Sequence, residues 1–273
     1  MTLIVSWIGV DKKNSLGKVA SLYIASDSRY SWGNHSKYDY GVKVFRCLNS
    51  PDIFGFCGDV LFPSNLINQL ITQIDNGLFY SELETSFSKS NKVANFITEA
   101  IKYYPPIAFN QNFTIIYGTR ISQDFYLFKY THNYKTNAFD FEEIDLPILS
   151  TKVYSGGSGS EEFDTNYRQY ENRNHNEYGT SRGVYQCFVK TLTNIKDRYS
   201  GGRPQIVGLY RRGNAILFGS VIKEKLYIYG QEYIQNINAE NIEWRNENFE
   251  RTNPETGKIM KGAQKQPFKD ATP

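Results

Sequence analysis

Thr2 directly follows Met1 in this 273-residue chain, and a threonine in that place can do chemistry by itself. Removal of a methionine ahead of a small side chain leaves Thr2 with a free α-amine beside its own hydroxyl. Such an amine has a pKa of about 7.7 to 8.0, so near neutrality it can take the hydroxyl proton while the oxygen attacks an electrophile. Lys43, in Val42-Lys43-Val44-Phe45-Arg46, is the type of residue such a nucleophile needs. A buried ammonium near a hydroxyl favours the alkoxide and disfavours protonation of a neighbouring amine. A buried lysine requires a compensating carboxylate, and Asp27 in Ile24-Ala25-Ser26-Asp27-Ser28-Arg29 is a candidate. Two glycine-rich runs, Ser155-Gly156-Gly157-Ser158-Gly159-Ser160 and Asp197-Arg198-Tyr199-Ser200-Gly201-Gly202, add hydroxyls and another carboxylate. Taken singly, each segment has a plainer reading: Asp27 as a turn former, Lys43 as a strand-edge charge, the Ser-Gly runs as turns.

Other chemistries find little support. His35, His132 and His175 lie far apart, with no H-E-x-x-H and no cysteine at ligand spacing, which argues against zinc hydrolysis and weakens any Ser-His-Asp triad. No Gly-Lys-Ser/Thr follows the glycine runs, so they are not a phosphate loop, and Ser160 stands where a nucleophile elbow needs glycine. Cys47, Cys57 and Cys187 have no C-x-x-C spacing and read as reduced core residues. With 31 basic and 28 acidic residues, scattered, the net charge of +3 calls for neither nucleic acid nor a membrane surface as partner. The opening MTLIVSWIGV is short and lacks a basic start, and no stretch reaches the roughly 20 apolar residues of a membrane span. The expectation is a cytoplasmic protein that uses no metal or cofactor. The Asn34-His35-Ser36 and Asn112-Phe113-Thr114 sequons then carry no weight.

The elements that must position these residues follow from apolar periodicity. Residues 2–10 and 19–26 are β-branched strands joined by a polar connection over 11–18, and 42–47 and 53–57 flank the turn Asn49-Ser50-Pro51-Asp52. The period then lengthens. Leu66, Ile67, Leu70, Ile71 and Ile74 share one helical face, opened by Pro63-Ser64 and closed by Asn76-Gly77; Val93, Phe96, Ile97, Ala100, Ile101 and Tyr104 share another, stopped by Pro105-Pro106. Strands return at 113–117, 125–130 and before Ser155, followed by a weak helix over 161–170 and a clear one through Val184, Cys187, Phe188, Leu192 and Ile195. Strands 205–210, 215–220 and 225–229 close the series. This order suits an α+β protein of two face-to-face sheets with a helical layer outside each. One domain over 2–235 is expected, with a polar, extended tail over 236–273.

Six segments in order then resemble the proteasome β-type subunits and their bacterial peptidase relatives, within the N-terminal-nucleophile hydrolases. They are Thr2; Ser26-Asp27-Ser28-Arg29; Lys43-Val44; Gly55-Phe56-Cys57-Gly58-Asp59; Gly157-Ser158-Gly159; and Asp197-Arg198-Tyr199-Ser200-Gly201-Gly202. The resemblance covers roughly residues 2–230. The resemblance implies a four-layer αββα sandwich and a threonine-type endopeptidase with Thr2 as nucleophile and its amine as base. It implies Lys43 as the group that lowers the hydroxyl pKa, Asp27 as its partner, and Ser158, Asp197 and Ser200 as the set around the terminal amine. Gly58 would supply an oxyanion N–H, Arg29 would order the site, and Phe56 and Tyr30 would contact substrate, Phe56 as a wall of the main pocket. Peptide or unfolded protein as substrate and a homo-oligomeric ring are implied too, with any ATP-dependent unfoldase left open. The 11–18 connection is longer than the family's hairpin, and the tail is extra. The alternatives are an amidase of the same fold and a catalytically silent ring subunit.

Overall fold

A computed structural model describes residues 2–11, 17–33, 36–81, 83–234 and 242–263. Met1, His35, most of the 11–18 connection, and residues 236–241 and 264–273 of the expected tail lie outside the described residues.

The chain begins with β1 (Ile4–Asp11) and β2 (Lys18–Ser26), an antiparallel pair with Ile4 opposite Ser26. A small hairpin of β3 (Tyr30–Trp32) and β4 (Ser36–Tyr38) follows, then β5 (Val44–Arg46) and β6 (Asp52–Gly58). Helices α1 (Leu61–Asp75) and α2 (Ser86–Tyr103) come next, and then β7 (Phe113–Ile121), β8 (Asp124–Asn133), β9 (Ala138–Ile144) and β10 (Lys152–Gly156). Helices α3 (Ser160–Tyr167) and α4 (Ser181–Asn194) precede β11 (Gln205–Tyr210), β12 (Ile216–Ile222), β13 (Lys225–Ile228), β14 (Gln231–Tyr233) and β15 (Glu243–Asn246). One sheet runs β10-β1-β2-β11-β12-β13-β14, with β15 paired to β12; the other runs β5-β6-β7-β8-β9.

Side-chain alternation along the strands divides the interior into three cores. Ile4, Ile8, Leu22, Ile24 and Val207 of the larger sheet meet Val44, Ile53, Ile116 and Leu127 of the smaller one. The other face of the smaller sheet, with Phe54, Phe56, Ile115 and Tyr117, packs against Leu66, Leu70, Val93 and Ile97 of α1 and α2. The other face of the larger sheet, with Leu3, Val5, Trp7, Tyr23 and Ile206, packs against Phe163, Val184, Phe188 and Leu192 of α3 and α4. Cys47, Cys57 and Cys187 are buried and unpaired. Among the described residues no helix is long and apolar enough to cross a membrane.

Several boundaries depart from the periodicity. Helix α1 starts at Leu61, so Pro63 sits inside its first turn, where a missing N–H has no intrahelical partner to lose. Helix α2 starts at Ser86, well ahead of its apolar stripe, because Thr85 caps it by accepting from Ser88 N at 3.1 Å. β9 was not expected, since its mostly exposed, acidic sequence AFDFEEI suits an edge strand rather than a core one.

The largest difference concerns the tail. Residues 243–246 form β15, parallel to β12 with Gly219 opposite Trp244. Trp244 is 3 % exposed and Phe249 6 %, and Phe249 packs edge-on or tilted among Trp7, Tyr23 and Tyr185. Arg245 donates to Tyr210 Oη at 2.9 Å and to Phe249 O at 2.8 Å. Two aromatic anchors in a polar stretch are thus enough to dock it, and this part is not an appendage. Trp244→Ala should therefore lower the unfolding free energy by about 3–5 kcal/mol, read by urea denaturation. A change below about 0.5 kcal/mol, usual for exposed substitutions, would show that the segment does not contribute to the core.

Candidate functional site

Thr2 has no exposed surface. It is held because β1 lies inside its sheet, with Ile4 opposite both Gly156 of β10 and Ser26 of β2. The turn between β10 and α3 closes over it: Gly159 N donates to Thr2 O at 3.1 Å. Gly157 adopts φ +85°, and a Cβ there would fall on the Thr2 carbonyl, so glycine is required on both counts. The same turn places Ser158 Oγ 3.2 Å from Thr2 N, which donates to it.

Ser158 in turn donates to Asp197 Oδ2 at 2.5 Å, and Ser200 donates to that same oxygen at 2.7 Å. Asp197 Oδ1 accepts from Tyr199 N at 3.1 Å, a local turn that fixes the carboxylate. Partial burial pushes the Asp197 carboxyl up, but the Ser158 and Ser200 hydroxyls and the Tyr199 amide outweigh it and hold the group below its ordinary value. A hydroxyl has one hydrogen. With Ser158's committed to Asp197, its oxygen faces Thr2 N only as an acceptor.

The second half of the site is a buried ion pair. Lys43 Nζ lies 2.8 Å from Asp27 Oδ1, and neither side chain has any exposed surface. Asp27 Oδ1 also accepts from Leu3 N at 2.9 Å, while Oδ2 accepts from Arg29 N at 3.1 Å and Gly201 N at 2.9 Å. Burial pushes the Lys43 ammonium below its ordinary pKa, and the Asp27 charge opposes that. Leu3 N joins the two halves, since it belongs to the residue after Thr2.

The structure therefore brings Thr2, Ser158, Asp197 and Ser200 into one hydrogen-bonded cluster and ties Asp27 and Lys43 to the adjacent residue. Tyr30 lies beside the pair: its ring centroid is 5.8 Å from Lys43 Nζ and its hydroxyl donates to Val42 O at 2.5 Å. Arg29 makes a two-pronged ion pair with Asp39, at 2.6 and 2.9 Å, and donates to Ser200 O at 3.1 Å. Gly58 ends β6 with φ +95°, where a Cβ would strike the Asn112 carbonyl, and its own carbonyl accepts from Gln111 Nε2 at 2.9 Å. That is a backbone reason for glycine, independent of any chemistry.

Phe56 is a correction. It is completely buried in the core against α1 and α2, stacked on Phe45 at 6.2 Å, and offers no surface to a pocket. Alternation explains this: Ile53, Gly55 and Cys57 of β6 face the other sheet, so Phe54 and Phe56 face the helices. Other residues went unnoticed in the sequence. Gln205 accepts from Lys43 N at 3.0 Å and donates to Gly41 O, fixing the lysine's backbone from β11. A glutamine opening an otherwise apolar strand, Gln205-Ile206-Val207, was the available signal. Asp39 had none, because its pairing with Arg29 spans the β3–β4 hairpin.

A groove of about 630 Å³ adjoins the cluster. Ser158 and Asp197 form one end, and the sides come from α3 and α4 and their flanks. No protein-family model matches the chain, and no curated protein matches it significantly.

The ion pair generates a direct test. Asp27→Asn keeps the shape but leaves a buried lysine uncompensated, which typically costs about 3–5 kcal/mol. Urea unfolding should register that loss, and adding Lys43→Met to the same chain should recover much of it. A loss under about 1 kcal/mol in the single variant would mean that the pair is solvated in solution.

Proposed function

We propose that the chain is a threonine-type endopeptidase of the N-terminal-nucleophile class, acting through Thr2 once Met1 is removed. The observation that carries this is the pair of hydrogen-bonded sets on two successive backbone nitrogens: Thr2 N to Ser158 and on to Asp197, and Leu3 N to the Asp27–Lys43 pair. The layering of helices, sheet, sheet and helices suits the αββα sandwich of that class.

The residues divide the work as follows. Ser158 accepts one hydrogen of the α-amine, which leaves the nitrogen lone pair free for the hydroxyl of the same residue. Thr2 Oγ1 adds to the scissile carbonyl carbon as its proton passes to the amine. Lys43 stabilises negative charge at that oxygen and discourages protonation of the amine beforehand. Gly58, at the end of β6, is the proposed oxyanion donor. Collapse of the tetrahedral adduct breaks the C–N bond, the amine returns its proton to the departing nitrogen, and an ester remains on Thr2. Water, deprotonated by the same amine, then hydrolyses the ester and restores the hydroxyl.

The test is hydrolysis of a fluorogenic peptide panel by protein whose intact mass lacks Met1. Thr2→Ala and Lys43→Ala should each reduce kcat/KM by more than about 1,000-fold, whereas Thr2→Ser should keep part of it, since hydroxyl and amine survive. Wild-type turnover in Thr2→Ala, or full activity in protein that retains Met1, would overturn the assignment.

A pH profile adds a second prediction. A protonated amine cannot accept the hydroxyl proton, so activity falls as pH drops through the amine's pKa, ordinarily about 8 and pushed down here by the Lys43 charge, and rises above it. The Asp197 carboxyl, held below its ordinary 3.8, is ionised across this range and contributes no limb there. A rate independent of pH between about 6 and 9 would exclude the amine as base.

A further inference from the structure

The cluster around Thr2 meets solvent on one side. Thr2, Asp27, Lys43 and Ser200 have no exposed surface, while Ser158 is exposed and Asp197 is half-buried. Both of these line the groove between α3 and α4. Its walls carry amide and hydroxyl groups, Thr165, Asn166 and Gln169 on one side and Asn194 on the other. Its charges nearly offset each other, with Glu161, Glu162 and Asp197 against Lys190 and Lys196. The floor is closed by buried Thr191, whose hydroxyl accepts from Asn166 Nδ2 at 3.0 Å, and by buried Cys187.

Half-buried Tyr170 adds an aromatic ring to this otherwise mostly polar lining, which has no excess of positive charge to suit an anion. The lining suits an extended polypeptide, which offers one donor and one acceptor per residue. The reaction also sets a direction. The departing nitrogen receives its proton from the Thr2 amine and must sit beside it, and Thr2 N, which becomes that amine once Met1 is removed, lies 3.2 Å from Ser158 Oγ, at the groove's end. The half of the substrate that leaves is therefore the half nearest the groove. Helix α3, eight residues long, spans about 12 Å, room for about three residues of extended chain.

We propose that the α3–α4 groove binds the residues on the carboxyl side of the cleaved bond and that it selects polar ones, an inference that rests on the peptidase reading. Binding energy gained there is available to the chemical step, so shortened substrates lose kcat as well as affinity.

The experiment uses internally quenched peptides with one fixed acyl half. The leaving half is lengthened stepwise from a bare aminocoumarin to four polar residues. In the wild-type protein kcat/KM should rise at least about tenfold by the third residue and then level off. Leucine and phenylalanine in those positions should forfeit the gain. Gln169→Trp and Asn194→Trp, which fill the groove from opposite walls, should each reduce the long-to-short ratio to within about twofold. Using a ratio within each variant keeps the result independent of how much folded protein each yields. Thr2-dependent cleavage of the aminocoumarin substrate with no effect of length overturns this inference alone, as does a ratio that survives in both tryptophan variants. Absence of Thr2-dependent cleavage of every substrate overturns the peptidase reading and this inference with it.

Discussion

A lysine and an aspartate without solvent on either side chain hold each other in place, because neither could stay charged there without the other. Asp27 then has three more acceptor sites to fill, and it fills them with Leu3 N, Arg29 N and Gly201 N. Those amides belong to the start of β1, the exit from β2 and the loop before β11. One carboxylate thus fixes three chain segments around one ammonium. Well-packed apolar residues of similar volume would hold the same segments at no desolvation cost, since removing an ion pair from water costs several kcal/mol per ion. A charge kept at that cost, next to the residue that follows Thr2, supports a chemical role more than a structural one.

The rest of the arrangement follows from placing Thr2 and β1 in the middle of a sheet. Here β1 has neighbours on both sides, and the Gly157-Ser158-Gly159 turn bonds back onto Thr2. The turn performs two tasks with different atoms: its backbone pins the Thr2 carbonyl, and its serine side chain faces the nitrogen. Asp197 and Ser200 reach the same point from beyond α4, so the site is assembled from distant parts of the chain.

Much of this was legible in the sequence because it depends on local pattern. Alternation gave β1, β2 and β6, and the helical stripes in α1, α2 and α4 matched the faces that are buried. The order of Thr2, Asp27, Lys43, Ser158, Asp197 and Ser200 picked out residues that the fold gathers. What failed to show depends on tertiary direction. Phe56 was assigned to a pocket, but which face of β6 a side chain takes is set by strand pairing, and its face is covered by helices. The docking of β15 was hidden because a polar segment with Trp244 and Phe249 has no periodicity to reveal it. Gln205 acts across a long sequence separation and Asp39 across a hairpin, and neither leaves a spacing signature.

The central claim is that the hydroxyl and amine of one residue act together, and a two-site electrophile tests it most directly. A peptide epoxyketone offers a ketone to the hydroxyl and an epoxide to the amine, and a residue bearing both can close a ring with it. Intact mass and fragmentation of the treated protein should show Met1 absent and the inhibitor's whole mass added on Thr2, resistant to dilution and absent from Thr2→Ala. An adduct elsewhere in the chain, or processed protein that stays unlabelled while it hydrolyses peptides, would contradict the account.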